Sequence, residues 1–228
     1  MAHLNPGSPE ARKRQKESIG LKAKFLLVVE FDYLEQHRRF IELQFRQESR
    51  DLEERFAQEK AQLEPGDDRF SDAFTLLERT LPRLQWNAQF LVAYGVFEFW
   101  MYELCDEVQR RSGFELKAKD LGKQGIVRAS NYLAKVAGVK TPFDSPEWDR
   151  ALFLSKVRNV IAHGSGSVPV DEKAFLEKLS KEAPHLSLVD GWEDEKEVTL
   201  SSEFVRNAIA TMRKVALDIA DYRLYPST

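Results

Sequence analysis

Arg158 and His163 stand five positions apart, with Asn159 directly after the arginine and Gly164 directly after the histidine. These residue types can act together on a phosphodiester. Arginine presents a permanent planar fork of donors that matches phosphate oxygens. Histidine ordinarily titrates near neutral pH, so it can both accept and deliver a proton. Asparagine can orient an imidazole or hold an oxygen. A base, an anion clamp and a polar positioner are what metal-free cleavage of RNA needs, because the 2'-hydroxyl supplies the nucleophile internally.

The segment that carries them is predicted to be helical. Ser145-Pro146 is a start signal, since serine accepts a bond from an orphan amide and proline fits the first helical position. Gly164 is the matching stop. At about 100° per residue, with Arg158 as zero, Val160, Phe153, Val157, Ile161 and Leu154 share an arc between about 200° and 320°, the face to be buried. The complementary arc collects Arg158, Ala162, Ser155, Asn159, His163, Lys156 and Leu152. Ser155 and Ala162 are small, so a second backbone, such as a two-fold copy of this helix, can approach there. The same residues also suit a plainer arrangement, in which the histidine caps the negative end of the helix dipole and the arginine joins a surface ion pair.

Other elements must hold this helix. Residues 21–64 lack glycine and proline and alternate charges with Phe25, Leu26, Val29, Tyr33, Phe40, Leu43, Leu52 and Phe56, which predicts one long helix or a helical pair ended by Pro65-Gly66-Asp67-Asp68. Residues 71–81 read as a short helix stopped by Pro82. Residues 83–111 form the central core helix, with Trp86, Phe90, Leu91, Phe97, Trp100 and Leu104. Further helices are expected over 125–136 and 171–182, a small hairpin over 186–200 around Asp190-Gly191, and a last helix capped by Ser201-Ser202. Strand is otherwise negligible. The expected class is all-α, a helical bundle over residues 65–228 preceded by an extension over residues 1–64.

Composition narrows the alternatives. With 228 residues, 43% hydrophobic, the chain can bury a sizeable core without staples. One cysteine, Cys105, excludes a disulfide framework and leaves no thiolate cluster for zinc. No metal site and no cofactor are expected. Charges such as Glu30, Asp32 and Glu98 interrupt the apolar stretches, and the start reads as no secretory signal, so no membrane partner is expected and the default location is cytoplasmic. A net charge of -3 confines any RNA contact to local basic patches: residues 12–24, and the group Lys117, Lys119, Lys123, Arg128, Lys135 and Lys140. Tyr132 offers a stacking surface beside the second patch or a core side chain. His3, His37 and His185 carry no chemistry in this reading.

The run Leu154-Ser155-Lys156-Val157-Arg158-Asn159-Val160-Ile161-Ala162-His163-Gly164 resembles the signature of the HEPN superfamily: arginine, four to six residues with a polar one usually first, then histidine. The resemblance is sharp over these eleven residues and architectural over residues 83–222. It implies a helical bundle that homodimerises with its motifs face to face. It further implies a metal-independent endoribonuclease of the toxin, abortive-infection or CRISPR-linked kind, acting on single-stranded or loop RNA, leaving a cyclic phosphate and controlled by an antitoxin or activator protein. Arg158 would stabilise the scissile phosphate, His163 would move the proton, and Asn159 would be the polar residue of the motif. The helix over 83–111 would be the earlier bundle helix, with Glu98 or Glu103 as a supporting acid alongside Ser155. Lys156 and the Lys117, Lys119, Lys123 and Arg128 patch would hold RNA. Ser165 stands where toxins neutralised by a nucleotidyltransferase antitoxin carry a tyrosine. Some superfamily members keep the bundle as non-catalytic scaffolds or partner-binding modules.

Overall fold

A computed structural model describes residues 9–59, 68–164, 166–191 and 194–224. The fold is mostly helical, 77% helix against 7% strand, with a small antiparallel sheet. Its first helix, α1 (Pro9–Glu59), is a single run of 51 residues, so of the two arrangements expected the unbroken one forms. Pro9 sits at its first position, where a missing amide hydrogen costs nothing. Arg39–Glu35 and Arg46–Glu42 pairs one turn apart brace its charged surface. Pro65, Gly66 and Asp67 of the anticipated turn lie outside the described residues.

Pro82 does not stop a helix as expected. α2 (Arg69–Thr75) passes through a π-helical turn (Leu76–Thr80) directly into α3 (Leu81–Ser112). A proline inside an α-helix clashes with the carbonyl four residues back. Here the ladder just before it is already widened, because the Leu81 N–H donates to the Leu76 carbonyl, five residues earlier. A 3-10 turn (Ala118–Asp120) follows, then α4 (Gly125–Asn131), which closes in a second π-helical turn (Tyr132–Val136). The remaining elements are α5 (Pro146–Gly164), β1 (Ser167–Pro169), α6 (Lys173–Glu182), β2 (Leu186–Asp190), β3 (Glu195–Leu200) and α7 (Ser202–Leu224). No helix among the described residues is long and apolar enough to cross a membrane.

Two compact units are present. The first comprises the described residues of Met1–Tyr33, Ala93–Val157 and Ala208–Thr228. Its core holds Leu27, Phe31, Phe97, Met101, Leu104, Ile126, Leu133, Leu154, Met212, Val215 and Ile219, all buried. Each large side chain buried in this way contributes roughly 1.5–3 kcal/mol. Trp100 stays in this core by donating its indole N–H to Glu30 Oε2 at 2.7 Å. Tyr132 is wholly buried, so it offers no stacking surface.

The second unit comprises Leu34–Val92 and Arg158–Asn207. Edge-on aromatic contacts knit it together: Phe45 on Trp86, Phe56 on Phe70 and Phe74, and Phe90 on Phe204. Arg38 is only 5% exposed and is satisfied by Glu35, Glu42 and the Ser202 hydroxyl. The sheet runs β1-β3-β2, so the expected hairpin acquires a third strand. β1 escaped notice because it is three residues long and ends in Pro169. Val198 donates to the Gly166 carbonyl and Val170 to the Asp194 carbonyl. Bonded pairs in the ladder alternate, so Pro169 opposite Glu195 falls at a position where no amide hydrogen is needed. Val168, Val198 and Leu200 are the buried side chains of the sheet.

Candidate functional site

α5 begins as its sequence dictates, with the Ser145 hydroxyl accepting the Trp148 N–H at 3.2 Å. Phe153, Leu154, Val157 and Ile161 are buried and Val160 half-buried, which is the arc anticipated for the core. Asn159, Ala162, His163 and Lys156 are exposed, while Arg158, Ser155 and Leu152 are half-buried. The sequence pattern therefore oriented this helix.

Three of the motif side chains converge. Arg158 Nη1 donates to Asn159 Oδ1 at 3.1 Å and lies 3.5 Å from His163 Nε2. The guanidinium has donors only, so a hydrogen bond between the two would require the ring tautomer with its lone pair on Nε2 and its proton on Nδ1. The cation beside the ring is suited to the oxygens of a phosphate brought to the same spot.

The carboxyl end of α5 is fastened to the sheet. The Gly166 N–H bonds back to the Val160 carbonyl at 3.2 Å, while the Gly166 carbonyl accepts from Val198 at 2.8 Å. Gly166 adopts φ +92°, a conformation few side chains tolerate, and a Cβ there would lie 3.4 Å from the Val198 carbonyl oxygen. Asn87 of α3 also approaches Gly166, with its Nδ2 4.0 Å from that Cβ position. Its Oδ1 is buried without a partner. The sequence reading passed over Asn87; the one signal was an amide beside the core residue Trp86. Ser165 lies outside the described residues.

The remaining candidates belong to the first unit. Glu98 is half-buried with its Oε1 3.2 Å from where a Gly125 Cβ would sit, so it occupies the space that the glycine at the start of α4 leaves open. Tyr102 donates to the Gly125 carbonyl at 3.2 Å. Burial, reinforced by Glu98, raises the Tyr102 phenol above its ordinary value against the opposing charge of Arg128. Glu103 is half-buried. Lys117, Lys119 and Lys123 are exposed, whereas Arg128 is half-buried and ties its Nε to the Lys123 carbonyl at 2.8 Å. Arg128 thus braces a loop, and the freer cations of the patch are lysines.

A cavity of about 830 Å³ in the second unit has Arg79, Arg83, Trp86, Glu197, Thr199 and Ser202 among its walls. Arg83 is ion-paired there with Glu197. Arg158, Asn159 and His163 do not line it. Among the described residues, no three His, Cys, Asp or Glu side chains are grouped as a metal ion would require. No protein-family model, curated protein or solved structure matches the chain.

Proposed function

We propose that the chain is a metal-independent endoribonuclease of the HEPN kind, cutting single-stranded or looped RNA at a site completed by a second copy of itself. The observation that carries this reading is the convergence of Arg158 on Asn159 and His163, at 3.1 and 3.5 Å, on the exposed arc of α5. The 2'-oxygen of one ribose attacks the adjacent phosphorus as the P–O5' bond breaks. One proton leaves the 2'-hydroxyl and one reaches O5', giving a 2',3'-cyclic phosphate and a 5'-hydroxyl. Arg158 neutralises the non-bridging oxygens as charge gathers on them. An unpaired strand is the natural substrate, since in-line attack needs backbone freedom that a regular duplex denies.

In-line displacement places the entering and leaving oxygens on opposite sides of phosphorus, so one imidazole cannot serve both in the same step. A second His163, from a partner copy, would supply the other proton transfer. An exposed site also lacks the walls that exclude water from a reaction, and a facing protomer would provide them. In support, α3 exposes Leu81, Leu84 and Val92, with exposed Ala88 between them, at helical spacings of three, four and four within the unit that carries the motif. The biological role that goes with this chemistry is a cytoplasmic toxin or antiviral effector held in check by an antitoxin or switched on by an activator.

A partner-binding scaffold is the second reading, and one observation favours it. Phe40 and Leu43 of α1 are 58% and 63% exposed, and Leu43, Phe45, Leu77 and Pro82 line a largely apolar cavity of about 620 Å³. The deciding experiment incubates labelled single-stranded RNA with wild type, Arg158→Ala and His163→Ala in EDTA and identifies the product ends. Cutting to cyclic phosphate ends, lost in both variants, sustains the ribonuclease. A folded wild type that cuts none of a varied set of RNAs leaves the scaffold.

A further inference from the structure

The first unit contains a crevice of about 360 Å³ between α3 and the 3-10 turn, with Tyr102, Asp106, Gln109, Arg110, Lys117 and Lys119 among its walls. Its volume is on the scale of a small-ligand site. Lys117 precedes the turn and Lys119 lies within it; both are exposed, and neither has an ion pair among the described residues. Asp120, the acid nearest them in sequence, is occupied in part by the Lys117 backbone N–H at 2.9 Å. The crevice wall therefore includes two ammonium groups without ion pairs among the described residues, the chemistry that recognises a phosphate.

The same crevice also offers acceptors, and the cation beside them, Arg110, is ion-paired with Glu107 at 2.9 Å. Gln109 spends its Nε2 on the Phe114 carbonyl at 3.1 Å, and its Oε1 remains an acceptor. The Asp106 carboxylate is exposed and has no hydrogen-bond partner among the described residues; the bond from Arg110 Nε goes to the Asp106 backbone oxygen. Tyr102 lends an aromatic ring whose hydroxyl is held by the Gly125 carbonyl. A free carboxylate accepts two parallel donors, and among the bases guanine is the one that presents adjacent N–H donors, N1–H and the N2 amino group, on a single edge.

We propose that this crevice seats one nucleotide of a single-stranded RNA, its phosphate on Lys117 and Lys119 and a guanine base beside Tyr102 with its donor edge on Asp106. The inference rests on the RNA reading of the protein and adds a base preference to it. It does not require His163 to be catalytic. Adenine and cytosine offer an amino donor beside a ring acceptor, and that acceptor would face the carboxylate unfavourably. Uracil offers a single ring N–H between two carbonyls.

The test uses full-length His163→Ala protein, so that no RNA is cut, and measures fluorescence anisotropy with labelled eight-residue RNAs that carry one guanine, adenine or cytosine within uridines. Free guanosine monophosphate competes in a parallel arm, which separates a seat for strands from one for free nucleotides. The guanine oligomer is expected to bind about tenfold more tightly than the others, and Asp106→Asn to remove that difference while leaving the other affinities in place. Lys117→Ala with Lys119→Ala should weaken every oligomer about tenfold and flatten the salt dependence. Equal affinity for all oligomers, an unchanged preference in Asp106→Asn, displacement by free guanosine monophosphate as effective as by the strand, or no RNA binding at all would each overturn the proposal. Loss of the base preference in Asp106→Asn alongside absent cleavage by the His163-intact protein would sustain the seat and sink the ribonuclease instead.

Discussion

Arg158 Nη1 lies 3.5 Å from His163 Nε2, so the permanent cation of the motif and its imidazole face each other across five residues of α5. Replacing either to alanine should lower RNA cleavage by about 10²–10⁴-fold, the range for loss of a positioned proton-transfer or charge-stabilising group. Stability should move by no more than about 0.5 kcal/mol for exposed His163. Arg158→Lys should fall between wild type and alanine, because an ammonium keeps the charge and loses the fork. Cleavage rates and thermal melts on the same preparations check all three. An alanine variant that unfolds would point to a structural brace.

Arg38 predicts an acid-sensitive contribution to stability. Its hydrogen bonds hold the Glu35 carboxyl below the ordinary 4.5. Burial opposes the same shift at Glu42, but bonds from Arg38, Ser202 and Arg46 outweigh it, and that carboxyl is lowered too. Groups whose folded values are depressed stabilise the fold above their unfolded values and lose that contribution as pH falls through the folded ones. Arg38→Met should therefore cost about 2 kcal/mol at pH 7, a buried-pair penalty discounted for the partly solvated carboxylates. The gap to wild type should narrow once the pH drops below about 4.5, as read by urea melts at both pH values.

Cys105 should be chemically silent in the native protein. Burial pushes its thiol up to about 12, and the side chain is 1% exposed. Iodoacetamide at pH 8.5 is expected to leave it unmodified for hours and to alkylate it fully in denaturant, with mass spectrometry as the readout. Rapid native labelling would contradict the burial.

Gly166→Ala should destabilise the fold by about 1–2 kcal/mol, because an L-residue is placed in left-handed backbone beside the Val198 carbonyl. A chemical melt gives the magnitude. A neutral result would mean that the exit from α5 bends in another way.

Much of this was legible in the residues. The face of α5, its serine start and glycine end, the core stripe of α3 and the Ser201 cap of α7 all follow from local rules, and Ser201 Oγ does accept the Phe204 N–H at 3.1 Å. Pro82 was misread because a proline signals a break only where the ladder before it is α-helical. β1 was missed because three residues carry no periodicity, and its pairing with β3 is decided by residues 26 to 30 positions away. In the motif, residue type and spacing placed Arg158, Asn159 and His163 on one arc. Which atom of each meets which is a matter of side-chain torsions that no spacing encodes. Asn87 was invisible for a related reason, since its closeness to Gly166 joins elements far apart in the chain.

The π-helical turn at Leu76–Thr80 acts as a phase shifter between α2 and α3. A turn holding one residue beyond the α-helical count rotates everything before it by about 100° relative to everything after it. That offset is what lets Phe70 and Phe74 address Phe56 while Trp86 addresses Phe45 further along the same helical rod. Deleting a single residue from the turn would restore an ordinary helix and swing the two phenylalanines off their partner, whereas a point substitution within it would leave the angle alone. The segment is therefore far more sensitive to a change of length than to a change of letter.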